Sequence, residues 1–205
     1  MQAKYKIPIH GQPFADILAE LYAHAFRGAP GQADPHRLSL AQRECMAYAL
    51  AIYYQCEHCQ VHHKNAIKHA IERSNPGEDA LELKDLSQTW RRTILGTVLF
   101  TRVDGRVIGK EEWEEWKADW RLFLHKAGVN ANVANLAAFA IATARNDECL
   151  LAHMRETMCT TYSDPEVRLA VLRDVMRVVA FMKAATSINR VLSTYDRILD
   201  CEGLA

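Results

Sequence analysis

The sequence has no excess charge of either sign: 25 lysines and arginines stand against 25 aspartates and glutamates in 205 residues. Without a net field, neither nucleic acid nor an anionic membrane surface is an expected partner. Long apolar runs are missing as well. No window approaches the roughly 18 uninterrupted apolar residues of a membrane span, and the opening MQAKYKIPIHGQPFAD lacks the apolar stretch of a secretory signal. The expected location is therefore a reducing cytoplasm, with no role at a membrane. Convincing strand patterns and low-complexity segments are also wanting. What is present is ordinary for a globular protein, 49% apolar and 24% charged residues. The length suits a single domain over residues 1–205.

The periodicity is helical nearly throughout, so the predicted class is all-α. Phe14, Ile17, Leu18, Leu21, Tyr22 and Phe26 fall on one face of a first helix. Ser39 followed by Gln42 reads as a capping box that opens a second helix running towards Gln55. A third helix is expected to begin near Cys56 and end before Ser74, and another to run from about Asp85 to Thr101. Trp113, Trp116, Trp120 and Phe123 recur at helical spacing as a core stripe, with Gly128 closing that helix. Ser163-Asp164-Pro165-Glu166 is a helix start, and apolar residues then recur to about Leu199. That span is long for a globular helix, so a break is expected near Ala185-Thr186-Ser187.

A faint repeat appears at an offset of ninety residues, with an active half over about 13–128 and an inactive half over 129–205. It aligns Cys59-x-x-x-His63 with Cys149-x-x-x-His153, and puts Asn146, Glu148 and Ala134 opposite Cys56, His58 and Glu44.

The chemistry concentrates between Cys56 and His63, where Cys56, His58, Cys59, His62 and His63 crowd into eight residues. If Cys56 starts a helix, Cys59 lies about 60° from it around the axis and His63 about 20°, all on one face. His63 then reaches the Cys59 sulfur one turn away. Bridging the two sulfurs requires a distorted first turn, because a disulfide wants its Cβ atoms about 3.5–4.5 Å apart. A helix N-terminus favours a thiolate, and an imidazole beside it takes the thiol proton. Glu44, twelve residues upstream, returns alongside the cysteines if the chain turns between the second and third helices. These residues alone leave two readings open: a redox pair, or a zinc set made of Cys56, Cys59, His63 and Glu44. Cys45 and Cys201 read as small apolar packing residues. The segment RVDGRVIGKEEW lacks calcium ligands, because Phe100 and Arg102 fall at the first and third ligand positions.

The full set reads Glu44-x11-Cys56-x-His58-Cys59-x3-His63. It resembles the alkylhydroperoxidase D-like branch of the carboxymuconolactone decarboxylase family over about twenty residues. Ser187-Ile188-Asn189-Arg190 extends the likeness loosely into the last helix. The resemblance implies an all-α bundle and a homo-oligomer, often a trimer. It implies a peroxidatic Cys59, a resolving Cys56, a Glu44–His63 proton relay assisted by His58, and no cofactor beyond a Cys56–Cys59 disulfide. It also implies a hydroperoxide substrate and a dithiol reductant such as a dihydrolipoyl protein or thioredoxin, in antioxidant defence. The tryptophan-rich stretch 85–128 and the extra His62 have no counterpart in that pattern. The alternatives are the zinc protein and a non-enzymatic redox-sensing module.

Overall fold

The computed structural model describes residues 12–27, 37–73, 80–126 and 128–202, with the backbone alone for 12–15, 80–84 and 192–202. Among the described residues the chain is all-helical and has no strand. The helices are α1 (Gln12–Tyr22), α2 (Leu40–Tyr53), α3 (Glu57–Arg73), α4 (Ala80–Phe100), α5 (Lys110–Leu124), α6 (Ala131–Arg145), α7 (Glu148–Thr161) and α8 (Pro165–Glu202). A π-helical turn, Ala23–Arg27, follows α1 directly.

Two helices are buried around their whole circumference. In α2 every residue from Ala41 to Ala51 is buried, and in α6 every residue from Val133 to Ala142. A helix enclosed on all sides needs neighbours on all sides. The two pack on each other, α4 and α8 pack on both, α3 covers α2, and α7 covers α6. Both are rich in alanine, which lets neighbouring backbones approach closely. Any polar group on α2 is thereby taken out of water, which matters for Glu44.

Local chemistry sets the boundaries. The Ser39 hydroxyl accepts from the Gln42 N–H at 3.2 Å, and the Gln42 side chain accepts from the Ser39 N–H at 2.9 Å, forming the expected capping box. Just before it, the Arg37 and Leu38 N–H groups donate to the buried Asp174 carboxylate of α8 at 2.8 and 2.9 Å. Along α4, Thr89, Thr93, Thr97 and Thr101 form a buried column. Each hydroxyl donates to a carbonyl one turn back, so four polar groups enter the core satisfied. On α5 the Trp113, Trp116 and Trp120 rings stack at 4.8 and 5.7 Å. Trp116, Trp120 and Phe123 are core residues, whereas Trp113 is half-buried.

Four expectations change. α8 runs unbroken through Ala185-Thr186-Ser187. The Thr186 hydroxyl bonds back to the Met182 carbonyl at 2.7 Å, and Val175, Val178, Val179, Met182 and Ala185 are packed in the core. Tertiary burial thus carries the helix past a weak segment. α5 ends at Leu124 with His125 as its cap, and Gly128 uses its positive φ of 79° in the following turn instead. α4 starts at Ala80, before Asp85. Ile17 is exposed, because it lies at the edge of the face on which Leu18, Leu21 and Tyr22 pack against the core, about 100° around the axis from Leu18. Phe14 and Cys201 fall where side chains are not described.

The α2–α3 connection is short and fully bonded. Gln55 adopts a left-handed φ of 57°; its N–H donates to Ile52 O at 3.1 Å and the Cys56 N–H to Ala51 O at 3.0 Å. This is a Schellman closure. The α6–α7 connection repeats it. Asn146 also has φ 57°, the Asn146 N–H reaches Thr143 O at 3.3 Å, and the Asp147 N–H reaches Ala142 O at 3.1 Å. Gln55 therefore corresponds to Asn146 and Cys56 to Asp147, one residue beyond the offset that pairs Cys59 with Cys149. A left-handed non-glycine residue is strained by about 1–2 kcal/mol, while glycine loses about 0.5–1 kcal/mol more in backbone entropy. Gln55→Gly is accordingly expected to stabilise the fold by roughly 0.5–1 kcal/mol in urea denaturation. Gln55→Val should destabilise it, since a β-branched side chain resists positive φ.

Candidate functional site

The Schellman closure delivers the chain to Cys56 with no intervening loop. Cys56 is the N-terminal cap of α3. Its carbonyl accepts from the Gln60 N–H at 3.0 Å, and its sulfur accepts from the Cys59 N–H at 3.3 Å. The sulfur occupies the place that a serine or aspartate oxygen takes in most caps. Because Cys56 stands outside the helix proper, its sulfur meets the Cys59 sulfur at disulfide-bonding distance, with Cα atoms 5.3 Å apart. The expected distortion of the first turn is thus met by a cap. Cys59 is buried at 4% exposure, and Cys56 is half-buried.

Beneath the pair lies a buried acid. Glu44, in the enclosed part of α2, is 1% exposed, and its Oε2 lies 2.6 Å from His63 Nδ1 in α3. His63 is 2% exposed and one turn along from Cys59. The carboxylate accepts, so the hydrogen sits on Nδ1 and leaves Nε2 as the basic nitrogen. The other carboxylate oxygen, Oε1, accepts from the Tyr22 hydroxyl at 3.1 Å. Tyr22 ends α1, and burial together with the Glu44 charge raises its pKa, so the phenol stays a donor at every physiological pH. Phe26 and Phe181 close around His63, with ring centroids at 5.7 and 6.1 Å. The result is an apolar chamber enclosing one hydrogen-bonded carboxylate.

From the other side, Asn189 of α8 places Nδ2 3.5 Å from the Cys59 sulfur and 3.8 Å from the Cys56 sulfur. His58 and His62 lie on the exposed side of α3. Desolvation first, and the neighbouring His63 second, lower both pKa values below the ordinary imidazole range. The His62 ring sits edge-on to Tyr22 at 5.6 Å and to His63 at 4.9 Å.

The structure thus brings Glu44, Cys56, Cys59 and His63 together and keeps His58 at the rim. Cys45 is fully buried, and burial, reinforced by Glu44, raises its pKa far beyond that of a reactive thiol. Cys149 is half-buried and Cys159 exposed, and both are free. His153 stands against the Trp113 and Trp116 edges at 6.3 and 5.8 Å. By turn geometry the counterparts of Cys59, His63 and Glu44 are Leu150, Met154 and Asn135, all buried. The Asp147 carboxylate caps α7 through the Leu150 N–H at 3.1 Å, where Cys56 uses sulfur. Among the described residues, no group of three or more His, Cys, Asp or Glu side chains is arranged to hold a metal ion.

Tyr22 carries no signal in the sequence, where it is one more residue on an apolar face. Asn189 enters it only through a loose likeness in the last helix. Compared with known proteins, the chain matches no family model, no curated protein and no solved structure. What the fold and site define together is a class: an all-helical protein with a paired-cysteine centre at a helix N-terminus, backed by a buried carboxylate–imidazole pair. Among the described residues no helix is long and apolar enough to cross a membrane.

Proposed function

We propose that this centre is a thiol-dependent peroxidase or disulfide oxidoreductase of the alkylhydroperoxidase D type. The observation that carries the reading is the buried Glu44–His63 contact, 2.6 Å long, one helical turn from Cys59. A carboxylate taken out of water beside an imidazole is a poor stabiliser of a fold. A carboxylate that orients an imidazole near a thiol has a clear catalytic use.

In the reduced protein His63 takes the Cys59 proton. The thiolate attacks the distal oxygen of a hydroperoxide, and the O–O bond breaks. The oxygen becomes a sulfenic acid on Cys59, and the alkoxide leaves as an alcohol with the proton held by His63. The Cys56 thiol then attacks the sulfenic sulfur, forming the disulfide and releasing water. A dithiol reductant returns two electrons and two protons through Cys56, the more accessible sulfur. The neutral His58 at the rim assists proton transfer. A homo-oligomer in a reducing compartment fits this reading.

The test is a thiol titration on reduced protein before and after one equivalent of cumene hydroperoxide, followed by re-reduction with dihydrolipoamide. Loss of two thiols per chain, mapped to Cys56 and Cys59 and restored by the dithiol, is expected. Oxidation without repeated turnover removes the peroxidase and leaves a redox-sensing pair.

A further inference from the structure

α8 grips α2 at both of its ends. At the start, the Asp174 carboxylate holds the Arg37 and Leu38 N–H groups. At the finish, Arg190 Nη2 lies 3.5 Å from the Tyr54 carbonyl, the C-terminal cap of α2, and the adjacent Asn189 meets both sulfurs. The separation of Asp174 and Arg190 along α8, about 24 Å at 1.5 Å per residue, matches the length of α2, about 21 Å. Two anchors therefore fix the height of Asn189 over the cysteine pair. Its amide is aimed at the sulfurs from the α8 side, while the His63–Glu44 pair is built on α3 and α2.

A side-chain amide differs from an imidazole in what it offers sulfur. It donates a hydrogen bond and neither gains nor loses a proton at physiological pH. An N–H facing a neutral disulfide is a weak partner. The same N–H facing a thiolate makes a charge-assisted bond, roughly twice as strong as a neutral one. Such a group stabilises the reduced, ionised state over the oxidised one. The shorter of its two contacts is to Cys59, the buried sulfur.

We infer that Asn189 is a further catalytic residue, whose amide N–H holds the Cys59 sulfur as a hydrogen-bonded thiolate and so marks it, rather than Cys56, as the attacking sulfur. The inference rests on the proposed redox function of the pair. It adds to that function a donor that works independently of the proton relay. It also fixes a sign: without Asn189 the dithiol form loses stability relative to the disulfide, so the couple becomes less oxidising.

The test follows the pH dependence of Cys59 alkylation by iodoacetamide, read peptide by peptide by mass spectrometry on the full chain carrying Cys56→Ser. Asn189→Leu keeps the side-chain size and removes both donors. The midpoint is expected to rise by about one pH unit, roughly a tenfold smaller thiolate fraction at neutral pH. Asn189→Asp should raise it further, and Asn189→Gln should restore part of the shift. With Cys56 present, equilibration against dithiothreitol should show the Asn189→Leu disulfide more resistant to reduction. An unmoved midpoint in folded Asn189→Leu, checked by circular dichroism, overturns the inference. If that variant does not fold, Asn189→Ala, which also lacks a donor, carries the same comparison. Peroxide turnover with an unmoved midpoint removes the role of Asn189 and leaves the peroxidase. A shifted midpoint in a protein that never reduces peroxide keeps the role of Asn189 and removes the peroxidase.

Discussion

Replacing Cys59 by serine is expected to abolish hydroperoxide reduction, while replacing Cys56 by serine should leave a single oxidation event and no recycling. The two sulfurs touch each other but occupy different surroundings. Cys59 is buried one turn from His63, with Asn189 Nδ2 at 3.5 Å. Cys56 caps α3 at its half-buried edge. A serine hydroxyl at position 59 cannot be held ionised near neutrality, and it forms no stable analogue of a sulfenic acid. Turnover should fall to the uncatalysed level. In Cys56→Ser the hydroxyl inherits the cap, because it accepts from the Cys59 N–H as well as sulfur does. The fold should therefore survive. One equivalent of peroxide should be consumed, leaving a Cys59 sulfenic acid detectable by dimedone labelling. Normal turnover in Cys59→Ser would assign the chemistry to other thiols, and the exposed Cys159 would be the first to examine.

The second large effect is expected at Glu44. Glu44→Gln should lower peroxide turnover by about 10²–10⁴-fold, the range that a positioned acid–base group supplies. The carboxylate accepts two hydrogen bonds at once, from His63 and from Tyr22. A glutamine offers one oxygen and one NH₂, so it meets one of those donors with another donor. It also cannot stabilise the imidazolium that forms when His63 takes the thiol proton. The pH–rate profile should move with the loss, and an unchanged profile would exclude Glu44 from the relay. Tyr22→Phe separates the two contacts. It removes one hydrogen bond, about 1 kcal/mol, and should slow turnover by under about tenfold. Glu44→Leu should lower stability in urea by about 1–3 kcal/mol for each donor left buried without an acceptor.

Much of the helical plan was legible because it is written locally. The Ser39–Gln42 box, the three-residue spacing of Cys56 and Cys59 and the tryptophan stripe each depend on residues within a turn or two. The association of Glu44 with His63 was legible for a less local reason. A turn of two or three residues between helices folds one back along the other, so residues a few turns from the bend on either side become neighbours. The burial of Glu44 was not legible. It follows from enclosure of α2 by α4, α6 and α8, and position 44 taken alone reads as a solvated face. Tyr22 was hidden in the same way, since only the packing of α1 on α8 and of the π turn on α2 gives its hydroxyl a partner in Glu44. The continuity of α8 through Thr186 depends on valines and a methionine that bury against other helices, a matter on which local propensity is silent.

The matching closures of α2 and α6 have one consequence for how such a chain can change. In one connection the first turn of the following helix is secured by a thiol, in the other by a carboxylate, on backbones of the same handedness and hydrogen-bonding pattern. The architecture is indifferent to which atom fills that post. The proposed redox centre can therefore be extinguished by one replacement at position 56, from cysteine to aspartate, and leave behind an intact scaffold free to drift toward other work.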